Sequence, residues 1–226
     1  MKSIDNKIFI GYDSREIDAF NACMNSIISN TDSCPFICEL NQNKLRKNGH
    51  YYREVDILSS TEFSFTRFLI PHLTEYKGWS VFCDCDFIFL EDIQELFDLC
   101  DDQYAVMVCK HDYIPTNNIK MDGKVQHQYP RKNWSSLVLW NNAHPKNKLL
   151  TKDMVNTQTG QFLHRFSWLD DKEIGEIPIQ WNWLVGWYKE PKDGKPKALH
   201  FTEGGPWFKE YENCEYCDVY DIYKLT

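Results

Sequence analysis

Asp84 and Asp86, one residue apart in Phe82-Cys83-Asp84-Cys85-Asp86-Phe87-Ile88, are the side chains best placed to do chemistry. In an extended chain alternate side chains share a face, which sets these two Cα atoms about 6.6 Å apart. At the end of a buried strand, two such carboxylates can hold one hard divalent cation and leave coordination positions open for phosphate oxygens. A solvated acidic turn is the other reading of the same spacing. His200 ends a short apolar run, Ala198-Leu199-His200, and the turn Gly204-Gly205 follows. That suits a third metal ligand with backbone amides nearby to meet phosphate, or a core histidine bonded to a carbonyl. Arg67, in Phe65-Thr66-Arg67-Phe68, lies off an apolar helical stripe; it could reach a diphosphate or stand at the surface. Tyr12 offers a ring to stack on a base and Asp13 an acceptor to bond it, although Asp13 is also placed to cap the next helix.

These residues need elements to hold them. Apolar spacing predicts strands over 7–11, 35–40, 79–83, 104–109, 136–140 and 197–201. A helix follows Asp13, with Glu16 three residues on as in a capping box and Ile17, Phe20, Met24 and Ile27 as its buried stripe. Phe65, Phe68, Leu69, His72 and Leu73 mark a second helix that Pro71 kinks or closes. A short helix buries Ile93, Leu96 and Phe97, and residues 151–166 form a further helix. Residues 111–133 read as a long polar loop, a lid or acceptor surface. Strands alternate with helices from residue 7 to about 109, so the expected class is α/β, Rossmann-like, with a mostly parallel central sheet flanked by helices and a less regular C-terminal half. Such sheets bind ligands at the carboxyl ends of their strands, where Tyr12-Asp13 and Asp84-Cys85-Asp86 both fall. One domain over 1–226 is expected, a nucleotide-binding half (1–109) and a half completing the metal and acceptor sites (110–226).

Lysine and arginine number 25 against 33 aspartates and glutamates, for a net charge of −8. No basic run is long enough to track a nucleic-acid backbone, so nucleic acid is not an expected partner. An acidic enzyme with a phosphorylated donor must neutralise it locally, with a metal and one or two placed cations. The sequence shows no leader pattern and no run of about 20 apolar residues, so a cytoplasmic protein without an integral membrane segment, at most peripheral to a membrane, is expected. Nine cysteines, an odd number, point to mostly free thiols. Cys214 and Cys217 form the one C-x-x-C, and no second pair stands at a spacing that completes a zinc site.

Taken together, Ile8-Phe9-Ile10-Gly11-Tyr12-Asp13, Phe65-Thr66-Arg67-Phe68, Phe82-Cys83-Asp84-Cys85-Asp86-Phe87-Ile88 and His200-Phe201-Thr202-Glu203-Gly204-Gly205-Pro206-Trp207 resemble glycosyltransferase family 8, the glycogenin and lipopolysaccharide galactosyltransferase group, within the broader GT-A fold. The acidic pair is similar to the DxD motif of nucleotide-sugar glycosyltransferases. The last segment resembles the family's His-x-x-Gly-x-x-Lys-Pro-Trp, shortened and without the lysine that meets the donor phosphate; Lys209 or Arg67 is the candidate substitute. Asn133-Trp134-Ser135-Ser136 stands where the family has its Asn-Ser-Gly strand facing the sugar, and Ile177-Pro178-Ile179-Gln180-Trp181-Asn182 resembles its late Leu-Pro-x-x-Tyr-Asn segment.

The resemblance implies transfer of a hexose from a nucleotide-sugar, with UDP-sugars first, to a glycan, lipid-glycan or protein hydroxyl, with retention at the anomeric carbon. A metal held by Asp84, Asp86 and His200 would act as Lewis acid on the departing diphosphate. Manganese suits this mixed oxygen and imidazole set, and magnesium is the second choice. Tyr12, Asp13, Arg67, Asp84, Cys85, Asp86, Ser135, Gly204 and Gly205 are then the candidates for holding the donor. The sequence assigns no nucleophile; Gln180 and Asp171 are the candidates for facing the sugar. Trp134, Trp140, Trp181, Trp183 and Trp207 are either acceptor platforms or core. A nucleotidyltransferase would share the sheet and the metal, but Gly11-Tyr12-Asp13-Ser14-Arg15 is not a glycine-rich phosphate loop. An aspartyl phosphatase would carry its Asp-x-Asp on the first strand. A carbohydrate-binding protein without catalysis is the alternative of another class, and slow metal-dependent donor hydrolysis separates it from a transferase.

Overall fold

A computed structural model describes residues 6–32, 34–54, 59–111, 131, 133–189 and 194–224. Strand β1 (Lys7–Gly11) leads into helix α1 (Ile17–Ser29), then β2 (Phe36–Leu40) and the short α2 (Gln42–Lys47). After a 3-10 turn over Thr66–Leu69 come α3 (Ile70–Leu73), β3 (Trp79–Cys83), β4 (Phe87–Phe89), α4 (Gln94–Phe97) and β5 (Val106–Val108). The second half holds β6 (Leu137–Asn141), α5 (Lys152–Thr157), α6 (Gly160–His164), β7 (Ile174–Glu176), β8 (Trp183–Leu184), β9 (Ala198–His200) and α7 (Cys217–Tyr223).

Six strands form the central sheet in the order β2-β1-β3-β6-β5-β7. All neighbours are parallel except β6, which runs antiparallel to both β3 and β5. The strands on either side of β6 therefore point the same way, and the expected α/β class with a mostly parallel sheet is present. A second, three-stranded sheet, β4-β9-β8, lies beyond the carboxyl end of β3. Strands β3 and β6 are buried along nearly their whole length, which explains their unbroken apolar runs, Val81-Phe82-Cys83 and Leu137-Val138-Leu139-Trp140. One core fills the faces of the large sheet, and a smaller cluster around Ile88, Trp183, Leu199, Phe201 and Tyr220 sits under the second sheet.

Four local expectations are corrected. Asp13 does not cap α1: Glu16 holds the cap position without a side-chain bond, and the Asp13 carboxylate is turned elsewhere. Ile17, expected on the buried stripe, stands exposed, and the helix buries Phe20, Cys23 and Ile27. Pro71 lies in the first turn of α3, where its missing N–H has no helical partner to lose. The single helix expected over 151–166 is two, because Thr151 and Thr159 each cap a new start, accepting from the Met154 and Phe162 amides, with Gln158 extended between them. Of the expected loop over 111–133, residues 112–130 and 132 lie outside the described residues. Among the described residues no helix is long and apolar enough to cross a membrane.

Candidate active site

The acidic pair is the link between the two sheets. β3 ends at Cys83 and β4 begins at Phe87, so Asp84, Cys85 and Asp86 are the whole crossing. The large sheet fixes one end of it, where the Asp84 amide donates to the Ser136 carbonyl at 2.9 Å. The small sheet fixes the other, where the Phe201 amide donates to the Asp86 carbonyl at 3.0 Å. β4 and β9 pair with Phe87 opposite His200, and this register delivers the imidazole to the carboxylates. Ligating atoms of Asp84, Asp86 and His200 all lie within 4.8 Å of one another. The His200 Nε2 is 3.4 Å from Asp86 Oδ2. Asp86 Oδ1 is buried and meets no hydrogen-bond donor among the described residues. An orphaned buried carboxylate oxygen carries a desolvation cost that a cation would relieve, so two oxygens and one imidazole nitrogen fit a hard or borderline divalent ion.

Cys85, between the two carboxylates, turns the other way into the core; burial pushes its thiol well up, and it can meet a ligand only through its backbone. Burial opposes ionisation of Asp86, and the Arg67 guanidinium farther off favours it. Arg67 is not a surface cation: it is 5% exposed, packed over the rings of Phe63 and Phe82. Its Nη1 stands 2.6 Å from Asp84 Oδ1 and donates to the Ser135 carbonyl at 2.8 Å. The arginine therefore ties the metal strand to the start of β6.

The other candidates are placed as follows. Tyr12 packs edge-on against Phe20, 5.3 Å between centroids, at the carboxyl end of β1. Asp13 is fully buried and already accepts from the Arg15 amide, the Arg15 guanidinium and the Glu62 amide. Burial works against its charge, yet those donors keep its carboxyl below the usual range. It staples the turn after β1 to residues 60–62, which leaves little of it for a base. The Ser135 hydroxyl faces His164, 2.9 Å away. Gly204 sits at φ +122°, in a region that favours glycine, and a Cβ on Gly205 would lie 2.1 Å from the Trp207 ring. Gly205 is thus required by the tryptophan folded over it. Gln180 is part-exposed and its carbonyl accepts from the Lys197 amide at 2.7 Å.

No described contact joins Asp171 to Asp84, Asp86 or His200. This aspartate precedes β7, whose first residue, Ile174, pairs with Val106 at the start of β5, a strand pointing the same way as β3. Asp171 is 89% exposed and ion-paired with Arg131. Trp140, Trp181 and Trp183 are core, whereas Trp134 and Trp207 are part-exposed.

Two residues to which the sequence reading gave no role of their own stand beside the group. Asn182 is fully buried, with its Oδ1 2.8 Å from His200 Nδ1. His111 follows β5, 6% exposed, with Nδ1 2.7 Å from the Tyr188 hydroxyl; burial, then the neighbouring His200, pulls its pKa down to about 3. Neither carries a local signal. Asn182 lies inside the Pro178–Asn182 segment already singled out, and only the β8–β9 pairing shows what it faces.

The chain is 54% identical over 218 residues to protein CDI of Arabidopsis thaliana, covering 95% of this chain and 84% of that one. This chain belongs to the protein CDI family. No family model matches it. Among solved structures, this CDI-family chain superposes on the bifunctional glycosyltransferase WbbM with a TM-score of 0.63 at 14% identity, covering 97% of this chain and 52% of that one. The glycosyltransferase GlyE of Streptococcus pneumoniae gives 0.63 at 15% identity, covering 97% and 60%. The galactosyltransferase LgtC, solved with donor and acceptor sugar analogues, gives 0.57 at 11% identity, covering 96% and 94%. The chain therefore spans about half of the WbbM chain and three-fifths of GlyE. At these identities the likeness establishes the fold, a GT-A glycosyltransferase fold.

Proposed function

We propose that this protein is a metal-dependent glycosyltransferase, moving a hexose from a nucleotide-sugar, a UDP-sugar first, to the hydroxyl of a glycan, lipid-glycan or protein acceptor with retention. The observation that carries the reading is the Asp84, Asp86 and His200 group at the seam of the two sheets, with Asp86 Oδ1 lacking a donor among the described residues. A divalent ion there, manganese before magnesium, supplies charge to stabilise the departing diphosphate. The protein's own part is positional. Asp84 and Asp86 are held by backbone bonds from both sheets, Arg67 orients Asp84, and Tyr12 stands at the end of β1 where a base would stack. Lys209 is the cation that would stand in for the missing lysine at the donor phosphates, since Arg67 is taken up by Asp84 and the Ser135 carbonyl.

Calorimetric titration with UDP, GDP and CDP, with and without manganese, tests this reading. UDP should bind most tightly, and only with the metal. Slow manganese-dependent hydrolysis of a UDP-sugar should accompany it. Metal-independent sugar binding without hydrolysis would instead identify a carbohydrate-binding protein on this fold.

A further inference from the structure

Three buried side chains behind the metal group form a chain of hydrogen bonds with one consistent direction. The Ser136 hydroxyl donates to the Asn133 carbonyl at 2.8 Å. A carbonyl only accepts, so the single hydroxyl proton of Ser136 is committed there. Toward Asn182, 2.9 Å away, Ser136 Oγ must then accept, and the Asn182 amide presents its Nδ2 to it. That leaves Asn182 Oδ1 facing His200 Nδ1 at 2.8 Å, and an amide oxygen only accepts. The proton of the neutral imidazole accordingly sits on Nδ1, and the lone pair of Nε2 faces Asp86. His200, Asn182 and Ser136 are all less than 5% exposed, so water does not compete for these bonds. Asn133, at φ +63°, turns its carbonyl back to receive both the amide and the hydroxyl of Ser136.

We infer that Asn182 and Ser136 are positioning residues that lock His200 in the Nδ1-protonated tautomer and so present Nε2 as a metal ligand. The inference rests on the metal reading above and adds to it what sets the ligand's protonation. Outer partners of metal-bound histidines act this way, and their loss weakens metal binding about 10–100-fold. The relay run backwards, with Nε2–H donating to Asp86, would make the same residues a purely structural pair.

Manganese affinity, titrated on the full chain without substrate, separates the two. Ser136→Ala frees the Asn182 amide to turn over and should weaken manganese at least tenfold. Asn182→Asp accepts from Nδ1–H on either oxygen, so it should bind manganese at least as tightly as the natural protein. In the Asn182→Asp background Ser136→Ala should then change nothing, because no amide remains to turn. Equal losses from Ser136→Ala in both backgrounds, or no loss in either, would overturn the relay. Long-range 1H–15N correlation on the metal-free protein reads the tautomer directly: Nδ1–H supports the assignment and Nε2–H overturns it. Absence of manganese binding by the natural protein, together with an Nδ1–H signal, would sink the metal reading and leave the tautomer assignment standing.

Discussion

Phe87 and His200 face each other across the β4–β9 ladder, and their rings stack 4.3 Å apart at 18°. The phenylalanine begins the strand that Asp86 leads into, so one pairing sets both the carboxylate and the plane of the imidazole. With Asn182 on its Nδ1 and the Phe87 ring on its face, His200 has one edge left, and that edge points at Asp86.

Asp86→Asn should abolish the stabilisation that UDP and manganese give together. A ligand at a hundred times its Kd adds about 2.7 kcal/mol, roughly 5–11 °C in a domain of this size. Thermal melts with and without both ligands check this, and the ligand-free melt should stay within a few degrees of the natural protein. Manganese-dependent nucleotide stabilisation that survives in Asp86→Asn would remove the acidic pair from the site.

Asp171→Asn should leave nucleotide and metal binding unchanged. The carboxylate is exposed and paired only with Arg131 among the described contacts, so stability should move by no more than about 0.5 kcal/mol. A fall in donor binding on titration would return Asp171 to the candidates.

Gly205→Ala should destabilise the chain by about 1–3 kcal/mol, because the new Cβ lands on the Trp207 ring and the ring must move. Denaturant melts report the loss and the near-ultraviolet tryptophan signal reports the shift. An unchanged aromatic signal would show that the ring is not held there.

Stability should depend on pH through two groups of opposite sign. His111 titrates near 3 in the folded chain and near 6.5 unfolded, so its contribution is complete above pH 6.5 and is lost as pH falls toward 3. Glu16 is raised to about 7 by burial and by the negative charges of Asp86 and Asp13. Its contribution is complete below about 4.5 and is lost as pH rises through 7. Glu16→Gln should therefore flatten the decline between pH 5 and 8. Urea melts across that range check it, and an unchanged slope would count against a carboxyl titrating near 7.

What the sequence disclosed follows from range. β1 and β3 are buried apolar runs ended by polar residues, and both were readable to the residue, 7–11 and 79–83. The expected ligand set also needed only a strand end and a type of side chain. The β4-β9-β8 sheet was not readable, because Phe87–Phe89 is too short to announce a strand and finds its partner more than a hundred residues away. His111 was missed, and Asn182 was read only as part of a motif, for the same reason: each is defined by what it meets across the seam. Asp13 shows the converse. Its spacing to Glu16 matches a helix cap, and the neighbouring Arg15 takes the carboxylate instead.

The crossing from Asp84 to Asp86 is pinned at both ends by main-chain bonds, so the backbone that carries the two carboxylates is set by both sheets. The two carboxylates can turn about their own bonds, but the stretch of chain that carries them cannot slide without breaking a strand pairing. The placing of this pair is therefore written in the ladders that join β3 to β6 and β4 to β9.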